Sequence, residues 1–168
     1  MARTLLCEIV TPECIVYTNE VEMVVAPTID GEIGILPLHA PLVSALKPGE
    51  IRVRFGGDEV EWFAVAGGYI QVHEDKVIIL ADAAVASSQI DVDRARSAKE
   101  LAEKRMAELP ADAEVDIDAC ERDLKWCEIR LEVAGKQNYL LLIASRYSSG
   151  ADPIGIRSSC ITAWERDA

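Results

Sequence analysis

The sequence predicts an α+β chain in two parts, an N-terminal antiparallel β-sandwich followed by a C-terminal antiparallel α-helical hairpin. Three observations predict it. From Leu5 to about Ala86, apolar residues recur with period two between closely spaced turns. After Ser87-Ser88-Gln89 the apolar period becomes 3.6. Half of the 168 residues are hydrophobic, enough to bury a core and to exclude global disorder. The expected units are a sandwich over 1–86, a hairpin over 90–136, and a tail over 137–168 that carries no assigned element and is expected to be flexible.

The elements follow in order. Leu6–Val10 and Val21–Val25 read as strands around Pro12 and Asn19-Glu20. Ile51, Val53 and Phe55 alternate with Arg52 and Arg54, the pattern of a half-buried strand. Gly56-Gly57-Asp58 supplies a hairpin turn, and Val60, Trp62 and Ala64 alternate through the return strand. Gly67-Gly68 interrupts; Tyr69–His73 resumes; Glu74-Asp75 turns; Val77–Leu80 returns. Many short strands with tight turns imply an antiparallel sandwich or barrel. In the helical part Asp91 is placed as an N-cap. Ala95, Ala98, Ala102, Met106 and Leu109 form a narrow stripe, and Pro110 ends the helix. Ala111–Asp116 reads as a polar connection. Cys120, Leu124, Cys127, Leu131 and Ala134 form a heptad-like seam on a second helix, with Gly135 as its C-cap. Glu100–Lys104, Glu121–Lys125 and Glu132–Lys136 are i,i+4 pairs in the favourable order. Two helices and a short connection make a hairpin, and its thin, alanine-rich seam predicts loose attachment to the sandwich.

Composition narrows the function. With 17 basic against 29 acidic residues the net charge is −12, which argues against nucleic-acid binding because no basic stripe exists to displace counterions. No apolar run approaches the roughly 18 residues of a membrane span, so no direct membrane insertion is expected. Five cysteines without Cys-x-x-Cys spacing, and two histidines, predict neither a disulfide framework nor a zinc site. No nucleophile triad, metal cluster or phosphate-cradling loop is legible, so a small enzyme is the least supported class.

One stretch stands apart, Gly31-Glu32-Ile33-Gly34-Ile35-Leu36-Pro37-Leu38-His39-Ala40-Pro41-Leu42. Its two glycines mark backbone positions where a side chain would obstruct or φ must be positive. Pro37 and Pro41 hold an extended turn that presents His39. So many apolar residues among glycines and prolines imply that something packs on the segment.

This stretch resembles the Gly-x-x-Gly-aliphatic-x-Pro-x-His-x-Pro signature of the epsilon subunit of F-type ATP synthases, called delta in mitochondria. Val65–Val72 and Val77–Asp82 form a second family-like block, and the resemblance covers about residues 3–136. It implies a non-catalytic central-stalk subunit of a proton- or sodium-coupled synthase. The sandwich would join the gamma subunit to the c-ring, and the hairpin, when extended, would reach the alpha and beta subunits and oppose ATP hydrolysis. By carry-over, Glu32 and His39 are candidates for the c-ring and gamma contact, on a backbone shaped by Gly31, Gly34 and Pro37. The family's regulatory ATP motif, Ile-Asp-x-x-Arg-Ala, is matched at Ile90, Asp91, Arg94 and Ala95, with Arg130 as a further arginine. No cofactor is required, and ATP is a candidate regulatory ligand. Two positions depart: Trp126 replaces an arginine of ATP-binding members, and Val85 an acidic residue. A location on the cytoplasmic side of a bacterial membrane, peripheral to it, is expected. The alternative is a free-standing ATP-sensing module.

Overall fold

The structure, a computed structural model, describes residues 3–56, 59–108 and 114–144. Ten strands come first: β1 (Leu5–Val10), β2 (Ile15–Val21), β3 (Met23–Thr28), β4 (Gly31–Ile35), β5 (Leu42–Leu46), β6 (Gly49–Phe55), β7 (Glu59–Val65), β8 (Gly68–His73), β9 (Lys76–Ala81) and β10 (Ala84–Ala86). A single 3-10 turn (Ser87–Gln89) leads into α1 (Val92–Glu108), and α2 spans Glu114–Ala144.

The strands form one sheet in the order β10-β7-β6-β3-β5-β8-β9-β1-β2, with β4 on β3. The sheet rolls over itself, so that Tyr17 of β2 meets Phe63 of β7 edge-to-face across the core at 4.9 Å. Inward side chains alternate along each strand: Cys7 and Ile9, Ile51 and Val53, Phe63 and Val65, Val77 and Ile79 are all fully buried. The pairings are antiparallel except one, β1 alongside β9. Those two strands are far apart in sequence, and the whole domain between them serves as the crossover a parallel pair requires.

Several expectations need correction. Asn19 and Glu20 lie within β2, paired with Cys7 and Leu6, because ladder pairing with β1 overrides their turn preference. Gly34 has neither a positive φ nor a close neighbour; an added Cβ would meet only Met23 Cε at 3.8 Å. The residue that must be glycine is Gly68, with φ of 122° and a Cβ position 2.0 Å from the Leu80 carbonyl oxygen. Cys7, Cys120 and Cys127 are free thiols, whereas Cys14 is disulfide-bonded.

The second helix is longer than expected. It starts at Glu114 rather than after Asp116, and Gly135 lies inside it rather than capping it. An interior glycine costs about 1 kcal/mol relative to alanine, and the strong helix formers Lys136, Gln137, Leu140, Leu141, Leu142 and Ala144 that follow help to offset that. The expected tail therefore begins as helix; residues 145–168, with Gly57-Asp58, Leu109 and Pro110, lie outside the described residues. Of the i,i+4 pairs, Glu132–Lys136 closes at 3.7 Å, while Lys125 meets Glu128.

One buried polar group is unusual. Glu61 of β7 faces the core, 8% exposed, and its Oε1 has no hydrogen-bond partner. Burial raises its carboxyl to about 7. The folded state therefore holds this proton more tightly than the unfolded chain. Its contribution to stability is complete below about pH 4.5 and is lost as pH rises through about 7. Glu61→Gln should remove that loss, gaining about 2 kcal/mol over the wild type at pH 8 and little at pH 4.5. Urea unfolding at the two pH values checks it; equal gains at both would show that the carboxyl does not titrate in the fold.

Candidate functional site

The apolar-and-proline segment folds as β4 followed by a tight turn. His39 N–H donates to the Leu36 carbonyl at 3.1 Å, closing a four-residue turn with Pro37 at its second position and Leu38, φ 65°, at its third. That is a type II turn, whose third position favours glycine. A leucine there stores strain of about 1–3 kcal/mol, which something must hold in place. The brace is Asp75, whose Oδ1 accepts the Leu38 N–H at 2.5 Å. Asp75 sits in the Glu74-Asp75 turn joining β8 to β9, and its other oxygen lies 3.7 Å from Arg3 Nε. The proline-containing turn is thus fixed from two sides.

What the turn presents differs in part from the expectation. His39 is half-buried and its Nδ1 is engaged with the Ala40 carbonyl at 2.8 Å. Leu36 and Leu38 are the exposed side chains, at 51% and 68%. Gly31, with φ of 132°, and Glu32 are exposed on β4, where Glu32 pairs with Arg52 Nη2 at 2.5 Å. Pro37 is half-buried.

A second surface was not legible in the sequence. Ala45, Tyr69 and Leu80 are register partners across β5, β8 and β9, and Val43 lies two residues from Ala45 on the same face. Val43, Tyr69 and Leu80 are 70%, 60% and 51% exposed, an apolar stripe on the outer side of the sheet. Their inward neighbours Ile70, Val72 and Ile79 are buried, so alternation alone does not mark them; an apolar residue in outward phase is the only signal.

The third feature is the seat of the hairpin. Trp126, Ile129 and Val133 of α2 form a buried stripe distinct from the seam facing α1. They pack on Ala64 and Ala83, with Trp62, Ala66, Val85 and Ile90 at the margin. The two departures from the ATP motif, Trp126 and Val85, are thus members of one apolar cluster. The hairpin is attached by real burial, against the loose attachment expected from its alanine seam.

Within that frame the ATP-motif residues are placed as follows. Asp91 caps α1, its Oδ1 accepting N–H bonds from Asp93 and Arg94 at 3.0 and 3.1 Å. Arg94 is exposed in the first turn, Ala95 is buried and Ile90 borders the Trp126 cluster. Arg130 stacks on Trp126 at 5.4 Å from the ring centroid and donates to Cys127 Sγ at 3.3 Å. Its Nε is buried without a hydrogen-bond partner.

Among the described residues no group of three or more His, Cys, Asp or Glu could hold a metal ion, and no helix is long and apolar enough to cross a membrane. The beta-sandwich domain of the ATP synthase delta/epsilon chain matches residues 4–87, and that chain's long alpha-helix domain matches residues 88–135. The chain belongs to the ATP synthase delta/epsilon family. It is 45% identical over 134 residues to the ATP synthase epsilon chain of Desulforamulus reducens, covering 80% of this chain and 99% of that one. Over 133 residues it is 46% identical to the epsilon chain of Halalkalibacterium halodurans, covering 79% and 98%. In fold it resembles a chain of the Euglena gracilis mitochondrial ATP synthase, with TM-score 0.58, 21% identity and coverage of 82% and 81%. A chain from the central stalk and c-ring structure of the Tetrahymena thermophila enzyme gives TM-score 0.54 at 15% identity. Within this delta/epsilon chain, α2 continues nine residues past the end of the matched helical domain, from 135 to 144.

Trp126→Ala should release the hairpin and spare the sandwich. Removing the largest buried ring of the seat costs about 3 kcal/mol of docking. Hydrogen exchange should rise across α2 while amides of β6 and β8 keep their protection; protection of α2 unchanged in the variant would show that the seam with α1 holds the hairpin.

Proposed function

We propose that this chain is a non-catalytic rotor subunit of an F-type ATP synthase, seated by its open apolar sheet face on the gamma subunit and by its braced turn on the c-ring. The observation that carries the reading is the Val43–Tyr69–Leu80 stripe. Three large apolar side chains on adjacent strands stay open to solvent, while the outer face of β7 at Trp62 and Ala64 is covered by the chain's own helix. Such a patch beside a rigid, strained turn suits a contact that must transmit torque, which needs roughly 1,000 Å² or more of buried surface. Glu32 offers charge at the start of β4, Leu36 and Leu38 apolar area at the turn, and Gly31, Gly34 and Pro37 the backbone that presents them, with His39 stiffening the turn from within.

In this reading the docked hairpin is the resting form. Undocked, α1 and α2 extend toward the alpha and beta subunits and oppose ATP hydrolysis. The coupling ion is a proton or sodium, and the chain works peripherally at the cytoplasmic face of a bacterial membrane.

A second reading concerns the same hairpin, and the orphaned Nε of Arg130 favours it. ATP as a regulatory ligand would be held by the guanidinium groups of Arg94 and Arg130, which suit phosphate, with Asp91 and Ala95 at the helix start and Ile90 beneath. As a free-standing ATP-sensing module the chain would bind ATP and not gamma.

Calorimetric titration with gamma separates these readings. The wild-type chain should bind gamma, and the double variant Val43→Asp, Tyr69→Asp should bind at least about tenfold more weakly with its melting temperature preserved. Equal affinity of the two would sink the proposed seat. ATP binding that is lost in Arg130→Ala, without any gamma binding, would put the sensing module in its place.

A further inference from the structure

Strand β4, which leads into the braced turn, and the docked hairpin are joined by a row of charges on one ring. Trp62, on the outer side of β7, carries two cations: the Arg52 guanidinium carbon lies 5.7 Å from its centroid and Lys136 Nζ 4.7 Å from it. Each cation has its own carboxylate. Arg52 Nη2 meets Glu32 Oε2 at 2.5 Å, and Lys136 meets Glu50 of β6 and, at 3.7 Å, Glu132 of its own helix. The outer end of this row is open, since the Glu32 side chain is 61% exposed, and Arg52 and Lys136 are one-third exposed. Arg52 has little else to hold it: its Nε is buried without a hydrogen-bond partner.

Arg52 and Lys136 are like charges near one ring, and the carboxylate beside each offsets their mutual repulsion. Lys136 belongs to α2, which also grips the sandwich through the apolar cluster around Trp126. Arg52 belongs to β6 and cannot leave. Drawing Glu32 away from Arg52 therefore restores a full cation beside the ring, and the member able to move off is Lys136 with its helix. We propose that Glu32, Arg52, Trp62 and Lys136 form an electrostatic relay by which a basic group arriving at Glu32 loosens the docked hairpin. A cationic side chain on the partner is the chemistry that would compete for Glu32. The physiological trigger rests on the turn being an interface, as proposed above; the relay itself is a property of the chain alone.

The test uses the full chain without any partner, so failure of gamma or c-ring binding leaves it intact. Hydrogen exchange of α2 amides between 126 and 136 is measured in the wild type, Glu32→Gln, Lys136→Met and the double variant, at low and high salt. Glu32→Gln should speed this exchange about threefold at low salt, the scale of a partly exposed cation–π or ion-pair contact, and less at high salt. In the Lys136→Met background the same substitution should have no effect, although Glu32 and Lys136 share no contact with each other. Both sites lie outside the core, so neither variant threatens folding, and sandwich amides serve as the internal check. An equal effect of Glu32→Gln in both backgrounds, or none in either, overturns the relay.

Discussion

Strand β7 is buried on both faces, and most of the molecule depends on that constraint. Its inward side chains, Phe63 and Val65, build the sandwich core, while its outward ones, Trp62 and Ala64, build the seat of the hairpin. Because side chains alternate strictly along a strand, the register of β7 against β6 decides both packings at once. A slip by one residue would put Trp62 into the core and Phe63 under the helix. Glu61 belongs to the same alternation. It occupies a core-facing position, where burial keeps its carboxyl protonated toward neutral pH, so the strand that organises the fold also carries a costly buried polar group.

The turn after β4 works on a different principle. Nothing large is buried there; the geometry is held by hydrogen bonds and by proline. Leu38 adopts a backbone conformation that leucine disfavours, and Asp75 holds it from the neighbouring hairpin turn. Strain of this kind persists where the surroundings over-determine it, and it yields a turn that resists deformation. A glycine at position 38 would relax the turn and remove an exposed apolar side chain. The sequence keeps leucine.

Much of the sandwich was legible because period-two alternation is strong in β6 through β9, and the Glu74-Asp75 turn was readable from composition. The Asp91 cap was legible for the same local reason: its side chain acts within three residues. What was not legible depended on tertiary pairing. Asn19 and Glu20 read as a turn until β1 pairs with them. Gly135 reads as a stop until the residues after it are credited as helix formers. Trp126 reads as a gap in a nucleotide motif because it lies outside the Cys127–Leu131–Ala134 seam. The stripe of Trp126, Ile129 and Val133 runs beside it at the same helical spacing, and only the position of β7 shows that this second face is buried too. The open stripe of Val43, Tyr69 and Leu80 hid for the opposite reason: three strands supply one residue each, and β5 is remote in sequence from the β8–β9 hairpin.

The two outer apolar faces do not compete. In the sheet order, β6 and β7 are separated from β5, β8 and β9 by β3, so a partner on the open stripe leaves the hairpin seat accessible to α2. On the proposed function, the hairpin could dock and undock while the sandwich stays attached elsewhere. Lying beside β3, the Glu32–Arg52 pair is placed between these surfaces and offers charge rather than apolar area. Apolar burial is insensitive to a distant charge, whereas an ion pair responds to any competing ion within a Debye length. In the proposed relay, Glu32 and Arg52 would thus give the hairpin a sensitivity to the surroundings of β4 that the Trp126 cluster alone could not supply.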